Sequence, residues 1–384
     1  MHDEKKEKLR GMLITIVFLF VLGGFFILNR LISPPEILTD ERRPAEKFPK
    51  ITAESVAKTK FMDDFELWAA DNFAFRKAFR TLHTETTFHV FFQTDKNGLY
   101  LGNSGAGKFE KIKEEEWKQS LRKIKKVEQN LTEWGIENIR FAFIPDKSIF
   151  AGRYFPGFDL EEARQIVETE FSDPETNIEI IDIANTLNAS DFYRTDLHWD
   201  QSQILDVAQQ LLGTSYKLNM EHSTSETGSP SPQTAGDFTG VYPGQLALNM
   251  KPDTLRYIPA NNIRVSYLDV HTQEMTTGVL YKEKALTEDM DAYDFFLSGS
   301  QPLIFLENTQ TTSDRTLYFF RDSFGSSIAP LLAASGSYKK IVCIDLRYID
   351  LRMISQVITL TENADALFLY SSQILNNPTV LLVG

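Results

Sequence analysis

Cysteine is almost missing from this chain: Cys343 is the only one in 384 residues. A lone cysteine makes no intramolecular disulfide and no C-x-x-C pair, which sets aside disulfide scaffolds, zinc ribbons and dithiol redox centres. Within the apolar run "KKIVCIDL" it reads as a small buried strand residue. Histidine is scarce too, at six residues, and His83, His89, His222 and His271 sit in no motif. Positive charge is in deficit, with 40 Lys and Arg against 53 Asp and Glu and a formal net charge of −13. That balance speaks against a nucleic-acid groove, which needs a basic stripe. Neither internal repeats nor a disordered composition is present, since 42% of residues are hydrophobic and 24% charged.

What is present begins at the N-terminus. Lys5, Lys6, Lys8 and Arg10 precede "GMLITIVFLFVLGGFFILN", Gly11 to Asn29, which carries no charge. That run suits a helix crossing a hydrocarbon layer about 30 Å thick. The basic flank should stay in the cytoplasm, placing the chain beyond Arg30 outside. The competing reading is a cleaved signal peptide, but that has a shorter apolar region and a small-residue exit, and the exit here is "FFILNR". The expected organisation is a cytoplasmic tail over 1–10, an anchor over 11–30, a proline-rich charged stalk over 31–60, and an extracytoplasmic domain over 61–384.

From Phe61 apolar residues recur at helical spacing (Phe61, Phe65, Trp68, then Phe75, Phe79 and Leu82). Helical and strand patterns then alternate. "EEEWKQSLRKIKKVEQNLTEWG" is an amphipathic helix and "NIRFAFIP" a strand; "RTLYFF", "KKIVCIDL" and "DALFLYS" are further strands around the helix "SSIAPLLAAS". This rhythm predicts an α/β fold with a mostly parallel sheet flanked by helices. An insertion at about 221–300 interrupts it. Its first part, Glu221 to Asp237, is a polar loop, and "NNIRVSYLDVHTQEMTTGVLY" alternates like antiparallel strands.

Two stretches could carry chemistry. In "LYFFRDSFGSS" a strand runs through Asp322-Ser323 into a helix, a turn that exposes a serine beside the free N–H groups of a helix start. Ser323 could equally be a helix N-cap. In "RTDLHWD", alternation along an extended segment puts Asp196 and His198 on one face and packs Trp199 on the other. A serine hydroxyl needs a base, and the base an orienting carboxylate, so the two stretches complete each other. A metal site is not indicated, because one histidine among scattered carboxylates lacks a ligand set. No cofactor motif is seen.

"TDLHWD" followed by "RDSFGSSIAPLLAASGSYKKIVCIDLRYI" resembles the bacterial DHHW-type proteins and the wider alginate O-acetyltransferase family with SGNH-hydrolase-like domains. "IRFAFIPDKSIF", "DNFAFRKAFR" and "AGDFTGVY" resemble further family segments, so the similarity spans about Phe61 to the C-terminus. The resemblance implies an SGNH-hydrolase-like fold and a triad of Ser323 as nucleophile, His198 as base and Asp196 as orienting acid. It implies lesser roles at the substrate or oxyanion for Asp322, Arg347, Trp199, Lys147 and Asp237. Arg347 could instead pair with Asp345 or Asp322, and Asp237 could simply close a turn. Two departures stand out: Arg321 precedes Asp322 where relatives have glycine, which would crowd an oxyanion hole, and Leu197 occupies the motif's second position. The implied function is O-acetylation of a cell-surface or secreted polysaccharide, with acetyl supplied by a separate multi-spanning membrane O-acyltransferase. A polysaccharide acetyl-esterase and a non-catalytic polysaccharide-binding or scaffold protein are the alternatives.

Overall fold

The computed structural model describes residues 2–32, 36–152, 155, 157–213, 231–269, 272, 274–288, 290–358, 360–361 and 363–383. Most of the polar loop from Glu221, with His222 and His271, lies outside the described residues. Contacts divide the chain into two units: Met1–Phe92 with Gly244–Leu248, and Gln93–Pro243 with Asn249–Gly384.

The first unit begins with α1 (His2–Leu31), which contains an apolar stretch, Lys6–Asn29, long enough to cross a membrane. A two-stranded ladder follows, β1 (Ile37–Leu38) and β2 (Arg43–Pro44), then α2 (Ala53–Ala57), α3 (Lys60–Asp71) and α4 (Arg76–Glu85). The stretch expected as a stalk carries charges that find partners in these helices. Arg43 forks onto Asp71 at 2.6 and 2.7 Å, and Glu41 accepts from Arg76 and Arg80. A bidentate guanidinium–carboxylate pair holds a fixed geometry.

The second unit opens with a small antiparallel sheet of β3 (Asp95–Lys96), β4 (Leu99–Gly102) and β5 (Gly105–Lys108). Next come α5 (Glu114–Glu133), β6 (Asn138–Ile144), α6 (Leu160–Phe171), β7 (Ile178–Ile180) and α7 (Leu205–Leu212). The inserted segment supplies β8 (Gln233–Phe238), the start of α8 (Val241–Leu246), β9 (Asp253–Tyr257), β10 (Ile263–Leu268), β11 (Met275–Thr277) and α9 (Ala285–Glu288). The chain ends with β12 (Leu303–Asn308), β13 (Thr316–Arg321), α10 (Gly325–Ala334), β14 (Lys340–Ile344), α11 (Leu351–Val357), β15 (Ala364–Ser371) and α12 (Ser372–Leu375).

Eight strands form the main sheet in the order β11-β10-β12-β14-β13-β15-β6-β7. From β14 to β7 every pairing is parallel, while β12, β10 and β11 extend the sheet antiparallel. The fold is therefore α/β with a mostly parallel sheet and an antiparallel extension, as the alternating pattern predicts. Successive residues of β13 sort to opposite faces. Leu317 and Phe319 join a core with α7 and α10, and Tyr318 and Phe320 join one with α5 and α6. Cys343 is fully buried in β14, and burial pushes its thiol up to about 12, so it behaves as a core residue. Arg321 breaks the apolar alternation at the carboxyl end of β13, where the sheet's crevice opens.

Candidate active site

The turn after β13 is pinned by Asp322. Its Oδ1 accepts from the Phe324 N–H at 2.9 Å and its Oδ2 from the Ser371 N–H at 2.7 Å, tying the turn to the end of β15. The carboxylate is buried and bonded to backbone on both oxygens, so Asp322 shapes the turn. Because Asp322 serves the first amide of the helix, Ser323 is not needed as a cap. No side chain caps α10 at Phe324, and Ser323 is the one partly exposed residue between buried neighbours.

Ser323 Oγ instead lies 2.8 Å from His198 Nε2, across a sequence separation of 125 residues. His198 Nδ1 lies 2.6 Å from Asp196 Oδ1. A carboxylate only accepts, so the proton sits on Nδ1 and Nε2 is left to accept from the serine. The local conformation differs from the extended segment expected. Residues 194–198 form a bend closed by a bridge between Phe192 and Trp199. Asp196 Oδ1 also accepts from the His198 N–H at 3.0 Å, and this local turn, not strand alternation, brings carboxylate and imidazole together.

The bend is held on all sides. Thr195 N and Oγ1 donate to Asp253 at 2.8 and 2.6 Å, and the Val241 N–H reaches Asp196 Oδ2 at 2.9 Å. Gly240 must be glycine for this approach, since a Cβ there would stand 2.3 Å from Thr195 O. Lys147 Nζ donates to the carbonyls of Tyr193 and Asp196 at 2.8 and 2.9 Å. Buried this deeply, its ammonium is pushed down to about 8. Lys147, expected to line the cleft, thus also anchors the histidine loop, next to a small hollow lined by Pro145, Leu197, Tyr242, Phe324 and Ser371.

The other expected residues are placed as follows. Trp199 is buried and donates from Nε1 to Phe324 O at 3.1 Å and Ser327 Oγ at 2.7 Å, locking the histidine loop to α10. Arg347 forks onto Asp345 at 2.8 and 2.6 Å, the structural pairing. Asp237 is exposed within β8, opposite Thr254. Its segment also contributes Gly240 and Val241 to the bend. The free helix-start amides need a correction. The Phe324, Gly325 and Ser326 N–H groups are taken by Asp322 Oδ1, Asp322 O and Ser323 O. The Ser323 N–H takes part in none of these bonds. Arg321 lies buried beneath the turn, donating to Asp322 O and Ser326 Oγ at 3.2 and 3.1 Å. Gly325 makes room for it, since a Cβ there would sit 2.5 Å from Arg321 Cβ.

Sequence reasoning missed Tyr293. Its ring lies face to face on His198, with centroids 3.8 Å apart and planes within 9°, and its hydroxyl reaches Ser327 Oγ at 2.9 Å. It comes from the inserted segment, in "DAYDFF", where no periodicity marks it. An electron-rich face stabilises an imidazolium that forms against it, by about 0.5–2 kcal/mol. Tyr293→Leu is therefore expected to slow by about tenfold any turnover in which His198 takes up a proton, with little change in KM. Tyr293→Phe, which keeps the stack, should lose less than threefold; steady-state kinetics of both variants checks this.

Asp146, beside Lys147, offers a test on stability. Burial pushes its carboxyl up to about 6, against hydrogen bonds to Ser148 and the Lys147 charge. With a raised folded-state pKa, its contribution to stability is complete below the unfolded value of 3.8 and is lost as pH rises through about 6. At about 1.4 kcal/mol per tenfold in acidity, the cost above pH 7 is about 3 kcal/mol at most. Asp146→Asn keeps an acceptor for the Ser148 N–H and cannot ionise. Urea titrations should find it stabilising at pH 8 and neutral at pH 4.

Among the described residues no group of three or more His, Cys, Asp or Glu side chains is placed to hold a metal ion. No family model matches the chain, and no curated protein matches its sequence. Solved structures do match. PatB1 from Bacillus cereus, solved with a sulfonyl adduct, has a TM-score of 0.55 at 19% identity, covering 74% of this chain and 98% of that one. A DHHW family protein from Eubacterium siraeum has a TM-score of 0.54 at 17% identity, covering 74% and 94%. The O-acetyltransferase domain of Pseudomonas putida AlgJ has 0.40 at 14%, covering 73% and 93%. At these identities the likeness to PatB1 and the DHHW family protein is one of fold.

Proposed function

We propose that this chain is a membrane-anchored extracytoplasmic serine acyltransferase that moves acetyl groups onto hydroxyls of a cell-surface or secreted polysaccharide. The observation that carries the reading is the unbroken hydrogen-bonded series from Asp196 through His198 to a partly exposed Ser323. The resemblance of "TDLHWD" and "RDSFG" to the O-acetyltransferase family supplies the substrate class.

In this mechanism His198 Nε2 takes the Ser323 proton as Oγ attacks the acetyl carbonyl carbon. The Ser323 N–H faces the developing oxyanion, and Asp196 holds the imidazolium on its Nδ1 side. The imidazolium then protonates the leaving group, and Ser323 carries the acetyl ester. A sugar hydroxyl gives its proton to Nε2 and attacks the ester carbonyl; the Oγ–acyl bond then breaks and Nε2 returns the proton to Oγ, restoring the free serine. No cofactor enters these steps. The helix over 11–30 would keep the domain outside with the tail over 1–10 in the cytoplasm, beside a multi-spanning O-acyltransferase that hands over acetyl.

The test is partition of label. Detergent-purified full chain is given an activated [14C]acetyl ester and a mixture of unacetylated envelope oligosaccharides. Label on sugar hydroxyls, absent with Ser323→Ala, is the expected result. Label released only as acetate would make the protein an esterase. No turnover and no acyl-enzyme, with binding to the oligosaccharides intact, would make it a binding protein.

A further inference from the structure

Helix α4 in the first unit is amphipathic the wrong way round for a water-facing helix. Four of its polar side chains, Arg76, Arg80, Thr81 and Thr84, turn inward, while Lys77, His83 and Glu85 stay exposed. Arg80 donates to Gly244 O and Gln245 O at 3.1 and 2.8 Å, Thr81 to Ala247 O at 2.5 Å, and Thr84 to Leu246 O at 2.6 Å. Arg76 and Arg80 both bind Glu41. The apolar side chains turn outward: Phe75 is 57% exposed, Phe79 46% and Leu82 63%, at the i, i+4, i+7 positions of one face. The stripe continues past the helix into Phe91 and Phe92, at 68% and 81%. Five large apolar side chains exposed within eighteen residues mark an interaction surface.

What covers it is indicated by what it adjoins. Phe25, in the last third of the apolar span of α1, stacks on Phe73 with centroids 5.4 Å apart and touches Phe79 at 5.8 Å. Asn29, at the end of the span, accepts from the Ala74 N–H at 2.6 Å. The outward face of α4 is thus joined side by side to the outer end of a helix sized for a bilayer. A polar residue closes the span at the level where α4 begins.

We propose that α4 and the segment through Phe92 form an interfacial element whose aromatic face is embedded in the outer leaflet of the lipid bilayer, at the boundary of headgroups and acyl chains. Aromatic and aliphatic side chains on one face of a helix favour that depth, while its bonded polar face stays on the protein side. The element rests on the reading of α1 as a membrane anchor. It would fix the first unit against the membrane surface instead of leaving it on a free tether.

The test uses full-length protein in nanodiscs of phosphatidylcholine and phosphatidylglycerol, with no other protein present. Nitroxide labels are placed singly at Phe79→Cys, Leu82→Cys and Phe91→Cys, with Leu19→Cys in the span and Glu137→Cys on the exposed surface of the second unit as references. Cys343, being buried, stays unlabelled. The expected result is that oxygen relaxes the labels at 79, 82 and 91 more than a water-soluble nickel chelate does, at a depth shallower than the Leu19 label. Labels at 79, 82 and 91 as open to nickel as Glu137, with the Leu19 label still deep, would overturn the proposal alone and turn the face over to a protein partner. A Leu19 label open to nickel would instead overturn the anchor reading, and the proposal with it.

Discussion

Ser323→Ala and His198→Ala are each expected to lower acyl transfer by on the order of 10^5-fold or more, and the double variant by little further. The reason for near-identical losses is that the two side chains act as one unit. Oγ at 2.8 Å from Nε2 is a weak nucleophile without the base, and the base has no proton to take without Oγ. Ser323→Ala should disturb folding little, whereas His198→Ala empties a buried position stacked on Tyr293 and bonded to Asp196, and should lower stability without unfolding the chain. Ser323 is partly exposed and caps no helix, and the turn around it is held by Asp322. Kinetics of the three variants, alongside thermal unfolding, checks both halves. Additive losses would mean that serine and histidine work independently.

Asp196→Asn is expected to cost about 10^4-fold in kcat, through the tautomer of His198. The carboxylate accepts from His198 N and Nδ1 on one oxygen and from Val241 N on the other. An asparagine has a single acceptor oxygen. If it faces His198, its NH2 opposes the Val241 N–H, at about 1–3 kcal/mol for the unmade bond. If it faces Val241, its NH2 requires an unprotonated Nδ1, which moves the imidazole proton to Nε2 and blocks the base. Either orientation harms the site. A loss below tenfold in a folded Asp196→Asn protein would remove Asp196 from the mechanism and leave it a structural role in the bend.

Local pattern made much of this legible. The runs "RTLYFF", "KKIVCIDL" and "DALFLYS" are adjacent parallel strands because their alternate residues feed two separate cores. "RTDLHWD" and "RDSF" pair in the sequence because a serine nucleophile would need a base and the base a carboxylate, and the structure brings the three side chains within hydrogen-bond distance. What local pattern could not carry is contact at a distance. Tyr293 stacks on His198 from a stretch with no periodic signal, and Lys147 anchors the histidine loop through backbone carbonyls, which leave no mark in the sequence. Periodicity also detects an apolar stripe without saying which way it faces. The spacing of Phe75, Phe79 and Leu82 marks a helix correctly, yet the structure turns that stripe outward because Arg80, Thr81 and Thr84 find carbonyl partners on the other side. Arg321 shows the same limit. A residue expected to crowd the oxyanion lies beneath the turn, where a glycine at 325 receives it.

The central claim is that Ser323 is an activated nucleophile, and it can be read directly. Full-length protein is treated with an aryl sulfonyl fluoride, a reagent class trapped by activated hydroxyls, and analysed by intact mass and peptide mapping. The account predicts one adduct, on Ser323, that fails to form in His198→Ala. An unmodified Ser323 in protein whose thermal unfolding remains cooperative, or modification that proceeds equally without His198, would contradict it.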